Sequence, residues 1–339
     1  MKALLLLFLL FLGPTFSVYA ATETKFEDSL LYDLDPVAVQ AALKAGADPN
    51  ESSLYKGRKV RSALSRAVLG LMAAKCRDAK FSFAETEKRA LEVLALLFEA
   101  GGKIQPHDDD ILYLSVGSSK VTQYLLERKA NPNPISGSGN TPLILATKQD
   151  VPETIKLLLQ YGAKPLSPSV TAQIRFVVAA ENDDVEGMKR EMARGATVDG
   201  MHPTKETALV KAASKCHLDS LNFLLSQGAN PNRYEVDETV KTTPLFASVF
   251  QYVGVFQIHS CEKAISLLLK AGAHVSSTDN RDQKTPLHIA AEFSNAITVK
   301  MLLDAGAKAM PKDANGKTPL DYAVSGEVVK LLKAYGAKE

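Results

Sequence analysis

Apolar positions along this chain fall into two alternating kinds of run, and their spacing predicts paired helices. One kind opens with Thr and Pro and then brings back leucine or a small residue every three or four positions. Thr285-Pro286-Leu287-His288-Ile289-Ala290 is its fullest form, with Leu287, Ala290 and Ala291 on one helix face. The other kind carries a leucine triplet, such as Leu157-Leu158-Leu159 or Leu267-Leu268-Leu269, and stops a few residues later at glycine. Thr before Pro reads as an N-cap followed by a first turn in which the missing proline N–H costs nothing. The glycine reads as a left-handed helix stop. Near the start, Thr24-x-x-Glu27 reads as a capping box, and Asp35-Pro36 opens a second helix that ends at Leu43.

Both kinds recur in fixed phase. Gly-Ala stands at Gly46, Gly162, Gly195, Gly228, Gly272, Gly306 and Gly336, with weaker copies at Gly101-Gly102 and Lys129-Ala130. Gly162, Gly195 and Gly228 are 33 residues apart, and Gly272 and Gly306 are 34 apart. A Thr-Pro-Leu signature lies 21 residues before several of these glycines. Related forms are Thr141-Pro142-Leu143, Thr207-Ala208-Leu209, Thr243-Pro244-Leu245, Thr318-Pro319-Leu320 and Ser62-Ala63-Leu64. These residues resemble the ankyrin repeat in period and motif. The resemblance implies an all-α ankyrin-repeat solenoid over residues 21–339, with about nine stacked helix-turn-helix units and short hairpin-like fingers. One helical pair cannot bury its apolar face alone, so neighbours share a core. The last unit is shortened and ends in the polar Lys338-Glu339, as a cap would.

Departures from the period mark where this chain is individual. Ser62 to Gly101 spans 39 residues, which places an insertion within 71–87. Thr243 to Gly272 spans 29, which places another near 250–260. The third unit is shortened around 110–129. Two fingers, 51–61 and 232–242, are longer than the rest. The first carries Tyr55, Lys56, Arg58, Lys59 and Arg61; the second carries Arg233, Tyr234, Glu235, Asp237 and Glu238. The family resemblance implies that fingers and first-helix faces line a groove that binds proteins, and Tyr and Arg are residue types that concentrate binding energy. Phe250 and Phe293 stand at or beside a slot that holds Lys148, Ser214 and Glu292 elsewhere. They are a candidate aromatic anchor near that groove, unless Tyr252, Val255 and Phe256 of the insertion fold over them.

The first twenty residues carry a different message. Met1-Lys2 precedes an apolar run over 3–12, Gly13-Pro14 breaks it, and Val18-Tyr19-Ala20 offers a cleavage site. This is the pattern of a secretory signal peptide cut after Ala20. The apolar run is shorter than the roughly 20 residues a spanning helix needs. A short start with one Lys resembles a bacterial signal. The expected product is therefore exported, to the periplasm or beyond the cell, monomeric and not inserted in a membrane. Among the 339 residues, 46% are hydrophobic and 23% charged, so the chain has the makings of a core. A net charge of +2 gives no electrostatic case for nucleic acid as partner.

Candidate chemistry is sparse. His288 sits inside the repeat motif, where a hydrogen bond to the next turn is its expected role. His217 has no companions at zinc-ligand spacing. Asp108-Asp109-Asp110 lacks the alternation of a calcium loop and reads as a helix N-terminal cap. Gly137-Ser138-Gly139 is no phosphate loop, and no G-x-S-x-G elbow occurs. No catalytic, metal or cofactor residue is expected. Cys216 and Cys261 occupy corresponding places in adjacent units of an exported chain. The family geometry sets such places roughly 10 Å apart, beyond the ~4.4–6.8 Å of a disulfide, and the insertion before Cys261 is what could close the gap. The expected function is protein–protein interaction without catalysis. An inhibitor or immunity-type protein that neutralises a toxic enzyme, and a secreted factor acting on a host protein, stay open as sharper forms.

Overall fold

A computed structural model describes residues 31–338, apart from 56–57, 75–81, 137–139, 204, 238–239, 251–260, 279–280 and 294. Residues 1–20, expected to be a signal peptide, and Thr24 and Glu27 lie outside these residues. The contacts divide the chain into two compact units, one reaching to residue 165 and the other running from 166 to the end.

The first compact unit contains α1 (Pro36–Lys44), the hairpin β1 (Ser52–Tyr55) and β2 (Arg58–Ser62), α2 (Ala63–Ala74) and α3 (Phe83–Glu99). It continues with α4 (Ile111–Ser115), α5 (Ser119–Glu127), α6 (Pro142–Lys148) and α7 (Pro152–Gln160). Helices pair in sequence, and pairs stack in two layers. First helices α2, α4 and α6 follow one another in one layer, and second helices α1, α3, α5 and α7 in the other.

The second compact unit repeats the scheme. Its first helices are α8 (Pro168–Glu181), α10 (Ala208–Ser214), α12 (Pro244–Val249), α14 (Pro286–Glu292) and α16 (Pro319–Tyr322). Its second helices are α9 (Val185–Ala193), α11 (Leu218–Ser226), α13 (Glu262–Lys270), α15 (Ala296–Asp304) and α17 (Gly326–Ala334). Between α11 and α12 stands the hairpin β3 (Glu235–Asp237) and β4 (Val240–Thr242). Leu209, Leu221, Leu245, Ile265, Leu287 and Leu302 share one buried cluster that passes from pair to pair. Ala212, Ala213, Ala290 and Ala291 are buried where helices approach closely.

The caps follow the motif. Thr141, Thr207 and Thr243 each accept a hydrogen bond from the backbone N–H three residues on. Asp35 caps α1 through Val37 and Ala38. The repeated Gly-Ala glycines are left-handed, and Lys129 takes that conformation where the motif lacks glycine. The fifth pair has no Thr-Pro-Leu, yet Ser167-Pro168 starts α8 by the same chemistry, with Ser167 accepting from Val170 N–H.

Three sequence expectations take a more definite form. Much of 71–87 is helical, since α2 runs on to Ala74 and α3 begins at Phe83 with 17 residues. The shortened third pair shows as a five-residue α4. The insertion at 250–260 follows the end of α12 at Val249, and its residues 251–260, including Tyr252, Val255 and Phe256, lie outside the described residues.

Candidate protein-binding surface

Both long fingers are antiparallel hairpins, and both are fastened at the base. In the first, Ser52 pairs with Ser62, Ser53 with Arg61, Leu54 with Lys59 and Tyr55 with Arg58, with a register shift between Ser53 and Leu54. Lys56 lies outside the described residues, as do the side chains of Tyr55, Arg58 and Lys59. Arg61 is not a free cation. Its Nε donates to Asp110 Oδ2 at 3.4 Å across to the next pair. Burial pushes the Asp110 carboxyl above its ordinary pKa, and Arg61 pulls it back. Ser52 Oγ lies 2.9 Å from His107 Nε2, a second tie of the same kind.

The three aspartates beside it need a correction. Asp110 precedes α4 but makes no side-chain cap bond. Buried Asp108 instead accepts from Ser62 N–H and Ser65 Oγ at the start of α2, one pair back, and from Gln105 N–H. Capping therefore crosses between repeats, because the finger brings the acid against the neighbour's helix start.

The second finger pairs Glu235 with Thr242, Val236 with Lys241 and Asp237 with Val240. Glu238 lies outside the described residues. At its base, Glu235 accepts from Thr207 N–H at 2.9 Å, and Lys211 Nζ lies 2.8 Å from Glu206 and 3.7 Å from Glu235. Burial works against the Lys211 ammonium, but Glu235 and Glu206 outweigh it and hold its pKa above the ordinary lysine value. On this fixed base, Tyr234 is 40% exposed and carries the Lys241 ammonium 4.3 Å above its ring. Arg233 is half-buried beside it.

Phe250 and Phe293 sit at the other end of the first helices, as the C-caps of α12 and α14. Phe250 is 42% exposed and stacks on buried Phe246, ring centres 6.0 Å apart. Phe293 is half-buried. Within the second unit the candidate residues thus form two groups, Arg233 and Tyr234 on the finger and Phe250 and Phe293 on the helix-turn edge, at opposite ends of the first helices. Cys216 and Cys261 lie on the same edge as the phenylalanines, with Cα atoms 5.4 Å apart.

Sequence reasoning missed the ties that connect repeats. Asn50, Asn133 and Asn232 each donate through Nδ2 to the carbonyl of the next pair's stop residue, Gly101, Gly162 or Gly272. Each also accepts through Oδ1 from the N–H two residues later, Lys103, Lys164 or His274. The available signal was the recurring Ala-x-Pro-Asn at 47–50, 130–133 and 229–232. The Lys211 network carried no such signal, because its partners come from separate turns of the chain. Among the described residues no group of three or more His, Cys, Asp or Glu could hold a metal ion, and no helix is long and apolar enough to cross a membrane.

Stacked helical pairs with left-handed glycine stops and finger loops define a helical-repeat interaction scaffold. The chain belongs to the ankyrin-repeat family. The model for three ankyrin copies matches residues 83–169 and 257–339, and that for a single ankyrin repeat matches 204–235. Among curated proteins, the chain is similar to a mitochondrial disaggregase of Bos taurus, 32% identical over 51% of this chain and 24% of that protein. It is also similar to the palmitoyltransferase ZDHHC13 of Mus musculus, 25% identical over 57% of this chain and 35% of that one. With the E3 ubiquitin-protein ligase KEG of Arabidopsis thaliana it shares 24% identity over 65% of this chain and 16% of that one. Each match spans only a minor part of the relative.

Proposed function

We propose that this chain is an exported, non-enzymatic binding protein of bacterial type that engages a partner protein through its fingers and first-helix layer. The observation that carries the reading is the second hairpin. A half-buried charge network fixes its base, and an exposed tyrosine with a cation on its face stands at its root. An aromatic held in place before binding loses little freedom on binding, which favours a tight and specific contact. The hairpin that carries Tyr55 is rich in basic residues, Lys56, Arg58, Lys59 and Arg61, where the second is mostly acidic. The leader at 1–20 supports delivery out of the cytosol. Neutralising a toxic enzyme and acting on a host protein are two forms of this reading, and the partner's identity separates them.

The test is site-specific photo-crosslinking in the exporting cell. A crosslinker at position 55 or 234 is expected to trap one protein, and the same group at exposed Lys189 of α9 is not. Equal labelling from all three positions would remove the fingers from the surface. Repeating the capture with Phe250→Ala and Phe293→Ala asks the same of the helix-turn edge; an unchanged yield confines the contact to the fingers.

A further inference from the structure

Two local preferences are broken at one place. In successive pairs the turn between helices holds a left-handed residue, Asp150 at φ 50° and Asp183 at φ 59°, and aspartate tolerates that conformation. The corresponding residue 33 positions on is Cys216, at φ 58°, a conformation uncommon for residues other than Gly, Asn and Asp. Second helices α5, α9, α15 and α17 have their first turns capped by the side chains of Ser118, Asp184, Asn295 and Ser325. At α13 the N-cap position is Cys261, which makes no side-chain cap bond, as Val151 of α7 and His217 of α11 also make none. Each cysteine is a poor local choice, and the two poor choices stand 5.4 Å apart at Cα, inside the span of a disulfide. Cys261 is buried and Cys216 packs against the same core.

The third observation is the connection itself. Between α10 and α11 the chain turns in three residues, 215–217, whereas between α12 and α13 it takes twelve, 250–261. A longer connection costs more closure entropy and fixes the following helix less firmly.

We propose that Cys216 and Cys261 form a disulfide that anchors the start of α13 to the turn of the preceding pair, in place of the three-residue turn that serves the pairs on either side. The bond makes the seventh repeat, and the Phe250 edge it carries, dependent on oxidation. The chemistry is thiol–disulfide exchange with a disulfide oxidant. The Cys216 thiolate, the more exposed of the two, attacks the oxidant's disulfide and releases one of its sulfurs as a thiol. The Cys261 thiolate then attacks Cys216 sulfur in the mixed disulfide and expels the other. Two cysteine thiols lose two electrons and two protons, and one oxidant disulfide becomes two thiols. The inference draws on the proposed export only for the source of that oxidant.

The reduced full-length chain is reoxidised with glutathione disulfide and mapped by peptide mass spectrometry without reduction. The expected product links 216 to 261 and leaves Cys76 free. Amide exchange over 244–249 and 262–270 is then followed with and without a reductant, in the native chain and in Cys216→Ser with Cys261→Ser. Reduction is expected to speed exchange there about tenfold or more in the native chain and to have no effect in the double variant. Unlinked thiols, linkage to Cys76, or a 216–261 link whose reduction leaves exchange unchanged would each overturn the proposal. The chain being reduced in cells while the purified chain behaves as expected would instead count against export.

Discussion

At His288 a single imidazole joins two repeats. Its Nδ1 accepts from Thr285 N–H at 3.0 Å, and its Nε2 donates to the Lys317 carbonyl at 3.1 Å. That pattern fixes the neutral ring with the proton on Nε2. Burial lowers the His288 pKa below its ordinary value, against the pull of the Lys317 carbonyl and Asp313. The folded chain therefore binds this proton less readily than the unfolded one. The contribution of His288 is complete above about pH 6.5 and drains away as pH falls from there toward the lower folded value. Denaturant titrations of His288→Ala are expected to show a loss of about 2–3 kcal/mol at pH 7.5, with a smaller difference from the native chain in acid. A difference that grows on acidification would contradict the sign. The role of His288 was legible because it lies within the motif. Asp108 was misread because its partner, Ser65, lies 43 positions away.

Among the elements, two glycines do different work. Gly228 closes α11 at φ +82°, and a Cβ there would meet nothing within 4 Å. Gly70 lies inside α2, where a Cβ would come 2.7 Å from the Tyr32 carbonyl oxygen and 2.9 Å from that of Leu31. Gly228→Ala is expected to cost about 1–2 kcal/mol through the backbone alone. Gly70→Ala is expected to cost about 1–3 kcal/mol through overpacking. It should also speed amide exchange around Leu31 and Leu34, which Gly228→Ala leaves alone. Equal exchange in the two variants would dismiss the contact between α2 and the chain before α1. The repeat signature announces Gly228, but nothing in the sequence marks Gly70 as a contact, because its neighbours come from another repeat.

For the whole molecule, the fate of residues 1–20 is the decisive matter. If 1–20 is a signal peptide, chain recovered from outside the cytosol of an expressing bacterium begins at Ala21 by N-terminal sequencing. Recovery of chain that still begins at Met1, and only from the cytosol, would remove export and with it the oxidant for Cys216 and Cys261. The ankyrin scaffold would stand unchanged, since it rests on the repeat itself.

What the sequence determined by itself is the repeating element: paired helices, their caps, their glycine stops and the two long fingers. These depend on interactions within one turn or one helix, so their residues lie close together along the chain. Only the tertiary structure decided how each finger is fastened, that Arg61 is spent on Asp110, and that Cys216 and Cys261 face each other. Those depend on distances between neighbouring repeats, with Arg61 and Asp110 49 residues apart in sequence and the cysteines 45, and such distances are set by stacking rather than by any local pattern.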